Sequence, residues 1–125
     1  MGDRVLIQVV KSSEVSPVAY GHWSGVHAVA VVANLKRRMA TRQGDVAYTF
    51  ARLLQEMTAS DPKGNLSFGA WNAPVDAASK PRALTAEDSH GDAGCVVIDV
   101  SKGFKVRCFG GYLKTSHFTA AFKEA

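Results

Sequence analysis

The stretch SPVAYGHWSG (residues 16–25) gathers Tyr20, His22 and Trp23 beside two glycines and Ser24. Imidazole is the side chain whose ordinary pKa lies near neutrality. At a strand-to-helix junction, where backbone N–H groups are free, His22 could act as a general base or hold a ligand. The competing explanation is a strand end whose rings pack against the helices. A second set lies in HGDAG (residues 90–94), where His90 and Asp92 stand two apart between glycines. That spacing could make an acid–base or metal pair with His22. A tight turn, with the aspartate bonding its own backbone and glycine supplying positive φ, accounts for the same residues. His22, His90 and Asp92 are therefore the candidate catalytic residues.

Trp71 and Asn72 end a strand pattern and enter a long polar stretch. Trp71 could stack on a planar ligand or cover an edge of the core. Tyr20, His22, Trp23, Trp71 and Asn72 make up the candidate ligand-binding set. A third group is basic: Lys36, Arg37 and Arg38, and then Lys105 and Arg107, which share a strand face with Phe109. A β-surface carrying Lys, Arg and Phe could bind single-stranded nucleic acid. A helix-terminal Lys-Arg-Arg also suits the macrodipole as a solvated end, and the RNP patterns of RNA-recognition domains are absent. HExxH, CxxC, Walker, dinucleotide-binding and GxSxG patterns are absent too, so neither a metal nor a cofactor is expected.

The bulk numbers set bounds on these readings. The chain has 125 residues, 46% hydrophobic and 21% charged, with a net charge of +4. This is one domain's worth of ordinary globular composition. The charge excess falls short of a dedicated nucleic-acid binder, so nucleic acid is not the favoured partner. MGDRVLIQVV does not read as a secretory leader, and no apolar run approaches the ~20 residues that cross a bilayer. Two cysteines, Cys95 and Cys108, read as buried thiols of a reducing compartment. The expectation is a cytoplasmic protein.

The elements that must position these residues follow from hydrophobic period. Arg4 to Lys11 predicts an interior strand with Val5, Ile7 and Val9 on one face and Leu6 and Val10 on the other. Ser12 to Ser16 reads as a connector and Pro17 as the start of a second strand, Val18 to Trp23, antiparallel to the first. Ser24 is the expected N-cap of a helix beginning at Val26, with Val26, Val29, Ala30, Ala33 and Leu35 or Arg37 marking successive turns and much of its apolar circumference covered. Asp45 caps a second helix with Ala47, Phe50, Ala51, Leu54 and Met57 inward and Arg52, Gln55 and Glu56 outward. Leu66 to Trp71 predicts a third strand, and Asn72 to Gly94 a long loop with one helical turn at Thr85 to Asp88. Cys95 to Val100 and Phe104 to Phe109 form a hairpin. A turn at Ser101-Lys102-Gly103 sets Ile98 against Val106, Val96 against Cys108 and Asp99 against Lys105, which alone keeps one face apolar. That register points the two thiols to opposite faces. Ser116 can cap a short final helix carrying Phe118 and Phe122, a pair that could supply an oligomer interface. The order is β-β-α-α-β-β-β: an α+β domain, its antiparallel or mixed sheet of about five strands bearing two antiparallel helices on one face.

SPVAYGHWSG, RRMATRQGDVAYTFARLLQEM, GNLSFGAWN and SHGDAG followed by a hydrophobic strand resemble a family of small uncharacterised bacterial and prophage-borne proteins. The shared pattern is SPV-x-Y-x-H-W-x-G, then a strand and an HGD-x-G turn, over residues 4 to about 109. That family has no established activity, so the resemblance implies no catalytic residues. It implies a stand-alone domain encoded near mobile elements. The expected function is a non-enzymatic accessory domain that binds a ligand, a partner protein or a second copy of itself. Two alternatives are a small hydrolase or transferase using His22, His90 and Asp92, and a weak nucleic-acid binder using the basic residues.

Overall fold

The computed structural model describes residues 2–65 and 67–123. Five strands form one mixed sheet: β1 (Val5–Lys11), β2 (Glu14–Gly21), β3 (Phe68–Trp71), β4 (Gly94–Asp99) and β5 (Lys105–Phe109), in the order β3-β2-β1-β4-β5. The β1–β4 pair is parallel and the others antiparallel. Helices α1 (Ala28–Arg38), α2 (Val46–Ala59) and α3 (Thr115–Lys123) send Val32, Leu35, Phe50, Leu53 and Phe118 into one core with Val5, Ile7, Val9, Val96 and Ile98. The fold is α+β in the expected element order, and β1 is buried on both faces.

The first hairpin differs from expectation. The turn occupies only Ser12 and Ser13, and β2 already pairs at Glu14, opposite Lys11. Pro17 therefore lies inside the strand. It is tolerated because Ser16 and Pro17 together face Val9, a bulge. The hydroxyl of Ser16 accepts the Val9 N–H at 2.9 Å, giving that donor a partner where the bulge interrupts the ladder. At its other end β2 stops at Gly21, before His22 and Trp23.

Both helices are rotated from the expected stripes. Residues 25–27 form a 3-10 turn and α1 begins at Ala28; of the expected α1 positions Ala33 and Leu35 are buried and Val29 packs on the core, while Val26 and Ala30 are exposed and Ala28, Val31, Val32 and Met39 point inward instead. In α2 the inward set is Val46, Thr49, Phe50, Leu53 and Met57, with Ala47 and Ala51 outside. Small residues fit either face, whereas polar ones come inside when they are satisfied. Thr49 donates to the Asp45 carbonyl, and Glu56, expected outside, is buried against Arg38. Asp45 caps α2 as expected, accepting the Tyr48 N–H at 2.9 Å.

The β4–β5 register is the expected one, with Ile98 opposite Val106, Val96 opposite Cys108 and Asp99 opposite Lys105. Regular pairing ends there, one residue short of Val100 and Phe104, and Gly103 takes φ +89°. Cys95 and Cys108 are free and join opposite faces of the sheet. Strand β3 starts at Phe68; of the residues expected to precede it, Leu66 lies outside the described residues. Ser116 is within α3 rather than its cap. Phe118 is fully buried and Phe122 packs on Phe104, so this pair does not form an exposed apolar patch.

The stretch expected as a long loop is built, not slack. Val75 bridges Pro81 around a turn in which Asp76 Oδ1 accepts from the Ala78 and Lys80 N–H groups. A 3-10 turn at Ala86–Asp88 carries a reciprocal Thr85–Asp88 cap, and Arg82 pairs with Asp88. This segment covers the second sheet face, where Leu84 packs with Leu6, Val10, Val18, Cys95 and Val97. A buried amide fastens it. Gln8 accepts the Leu84 N–H at 2.8 Å and donates to the carbonyls of Arg82 and Ser16, both at 3.2 Å.

Gln8→Leu retains volume but leaves the Leu84 N–H without an acceptor in a dry site. We expect a loss of about 2 kcal/mol in urea unfolding and faster amide exchange at Leu84. An unchanged midpoint with unchanged exchange would show that the amide does not hold the segment.

Candidate functional site

The helix N-terminus beside SPVAYGHWSG is capped from elsewhere. Asp3 accepts the Val26 N–H at 2.8 Å through Oδ2, its carbonyl accepts the Gly25 N–H at 2.9 Å, and its own N–H donates to the His22 carbonyl at 2.8 Å. The Tyr112 hydroxyl donates to Asp3 Oδ1. Ser24, the expected cap, makes no capping bond and its hydroxyl is buried without a hydrogen-bond partner. A carboxylate at this position completes the orphan N–H groups and suits the positive helix end. Gly25 is required for the approach: a Cβ there would fall 2.3 Å from Asp3 Oδ1 and 2.6 Å from the Tyr112 hydroxyl. The free N–H groups anticipated for a ligand are thus occupied by the protein's own aspartate.

The rings gather on the segment-covered side of the β2–β3 edge. Tyr20 stands opposite Gly69, and Trp71 lies opposite Val18 on the same face. Tyr20 and Trp71 stack with centroids 4.7 Å apart. The His90 ring reaches in from the covering segment, 5.5 Å from Tyr20 and 6.0 Å from Trp71. The Tyr20 hydroxyl and His22 Nδ1 share a 2.8 Å hydrogen bond, and Trp23 meets His22 edge-on at 4.8 Å. Trp71 and Trp23 are each 43% exposed, and His90 and Asn72 are exposed beside them. The structure therefore brings together Tyr20, His22, Trp23, Trp71 and His90 in one run of ring contacts.

Asp92 is engaged differently. It does not pair with either histidine by hydrogen bond. Its Oδ2 accepts from Arg4 Nε at 2.7 Å and from the Arg4 N–H at 3.1 Å, while Arg4 Nη2 donates to the His90 carbonyl at 2.9 Å. Those two Arg4 bonds, with His22 adding a smaller attraction, hold the Asp92 carboxyl below its ordinary range. Arg4, not singled out from sequence, is what locks the HGDAG turn to the sheet. The signal for it was an arginine at the mouth of an apolar strand, which has no specificity on its own. Burial pushes both thiols up to about 11, far from the range of a reactive nucleophile.

The basic residues divide between the two sides of the sheet. Arg38 pairs with Glu56, Arg37 bonds Asn34, and Lys36 lies over the Phe122 ring, all on the helical side. On β5, Val106 and Cys108 pack toward the helices, so Lys105 and Arg107 alternate to the other face, where Arg107 sits 4.0 Å from Asp99. The two sets do not form one continuous surface. Among the described residues no cluster of three or more His, Cys, Asp or Glu could hold a metal ion, and no helix is long and apolar enough to cross a membrane. Comparison with protein families, curated proteins and solved structures found no match to this chain.

Two pH dependences follow. A depressed carboxyl contributes stability above its unfolded pKa, near 3.9, and loses it as pH falls through the folded value. Asp92→Asn should therefore flatten part of the acid limb of a Tm–pH curve below about pH 4; an identical limb would show the Arg4 pair to be inert. Burial and the Asp3 carboxylate push Tyr112 up to about 12. A raised phenol contributes below about pH 10 and loses that contribution as pH rises toward 12. Tyr112→Phe should remove this alkaline loss, read by circular dichroism across the same window.

Proposed function

We propose that this chain is a non-catalytic binding module that receives a flat ring on the surface formed by Trp71, Tyr20, His22 and Trp23, with His90 beside the first two. The carrying observation is the arrangement of its rings: Trp71 stacks on Tyr20, Tyr20 meets His22 and His22 meets Trp23, with His90 set against Tyr20 and Trp71 and a half-exposed tryptophan at each end. Exposed indole faces favour stacking partners, whether a small planar ligand or an aromatic or proline side chain of a partner protein. Arg4 and Asp92 satisfy one another, and the His22 Nδ1 is taken by Tyr20. Asp92, given to Arg4, forms no hydrogen-bonded acid–base pair with His22 or His90, and this argues for binding over hydrolysis or transfer. The split of the basic residues argues against nucleic acid as the main partner. The free, unreactive thiols suit a reducing compartment, so the module is read as cytoplasmic. A bacterial, mobile-element origin rests on the resemblance of its four sequence stretches alone.

The test is tryptophan fluorescence with three probes: adenosine, a tyrosine-containing pentapeptide and oligo(dT). Saturable quenching by adenosine or by the peptide is expected, the stronger of the two telling small ligand from protein partner. Trp71→Ala should weaken it about tenfold, the scale of one lost stacking contact, with the urea midpoint retained. Absence of quenching by both would overturn the reading, and strongly salt-dependent binding of oligo(dT) alone would replace it with the nucleic-acid one.

A further inference from the structure

A separate cavity lies at the opposite end of the helical layer, where the end of α1 meets the start of α2 and the β4–β5 turn. Its volume is about 150 Å³, and Met39, Val100 and Phe104 supply its apolar walls. An apolar cavity of this size takes up a benzene-sized guest. The polar side chains that line it are mostly committed: Thr49 Oγ1 donates to the Asp45 carbonyl at 2.6 Å, and Gln43 Nε2 to the Ala40 carbonyl at 3.3 Å. Among the described residues, Lys36 is the one charged member of the lining. Its ammonium lies 5.4 Å from the Phe122 ring centroid, a contact that leaves its N–H groups able to donate. Lys11, outside the lining, donates through Nζ to the carbonyl of Gly44, a wall residue.

From an apolar chamber of this volume with a lysine in its lining, whose ammonium is within side-chain reach of it, we infer that the cavity binds a small apolar carboxylate of benzoate size. The hydrocarbon body fills the space between Met39, Val100 and Phe104, and the carboxylate takes a charge-assisted hydrogen bond from Lys36. A neutral ring of the same size would fill the chamber but leave the ammonium solvated. An ammonium-bearing ring would be repelled. The site is independent of the ring surface described above: it uses other residues, on the other face of the sheet.

The experiment is a titration of the full chain with benzoate, benzyl alcohol and benzylamine, read by NMR at the Met39 methyl. Benzoate should shift it saturably, benzyl alcohol should bind more weakly, and benzylamine should not bind. Lys36→Met should weaken benzoate about tenfold, as expected for one hydrogen bond to a charged group, and leave benzyl alcohol unchanged. Lys36 is on a partly exposed helix end, and Lys36→Gln gives a second neutral variant should the first fail to fold. Ala40→Phe, at an exposed wall position, should block both ligands. No saturable shift with benzoate, equal binding of benzoate and benzyl alcohol, or benzoate affinity unchanged in both Lys36 variants would each overturn the inference.

Discussion

Strand β1 is apolar on both faces, and each face has to be kept from water. Val5, Ile7 and Val9 are covered by the three helices. Leu6 and Val10 have no helix, and the chain meets the requirement with residues 72–93 instead. Irregular backbone laid over a hydrophobic face must satisfy its own polar groups. Gln8 does this from within the sheet: its buried amide takes one N–H and offers itself to two carbonyls, one on the covering segment and one on β2. Its position between Leu6 and Val10 makes a polar residue part of the hydrophobic seam.

The same requirement explains how the chain ends are used. The N-terminal residues run beside the β2–α1 junction, where Asp3 closes the helix start and takes the Tyr112 hydroxyl from the far end of the sequence. One residue on, Arg4 clasps Asp92 just before β4 begins beside β1. These two residues join the β2–α1 junction, the HGDAG turn and the segment after β5. The ring surface is a product of that convergence, because His90 reaches Tyr20 only if the turn carrying it is tied down.

This tying also shapes what the surface can do. The rings that sequence reading grouped as ligand-binding do meet, and His90, grouped as catalytic, meets them too. Asp92, its neighbour in sequence, turns to Arg4. Two residues apart in a turn are not thereby partners: the intervening peptide can point their side chains to different elements, and here the Arg4 guanidinium gives the Asp92 carboxylate a charge-assisted bond.

Strand identity, the β4–β5 register and the opposed thiols were legible in the sequence because alternation has a period of two, and a slip of one residue exposes an entire face. Helix existence was legible for the same kind of reason, through Asp45 and the apolar runs. Helix rotation was not, since alanines and a half-apolar circumference fit several orientations, and Glu56 comes inside only because Arg38 is there to meet it. The helix cap, the covering role of residues 72–93 and the parallel β1–β4 pairing were beyond reach as well. Each depends on a group far away in sequence: Asp3 for Val26, Gln8 for Leu84, β1 for β4. Local period and turn chemistry determined which elements this chain forms. Tertiary structure alone decided which polar groups answer each other, because a hydrogen bond is selected by what burial brings within 3 Å.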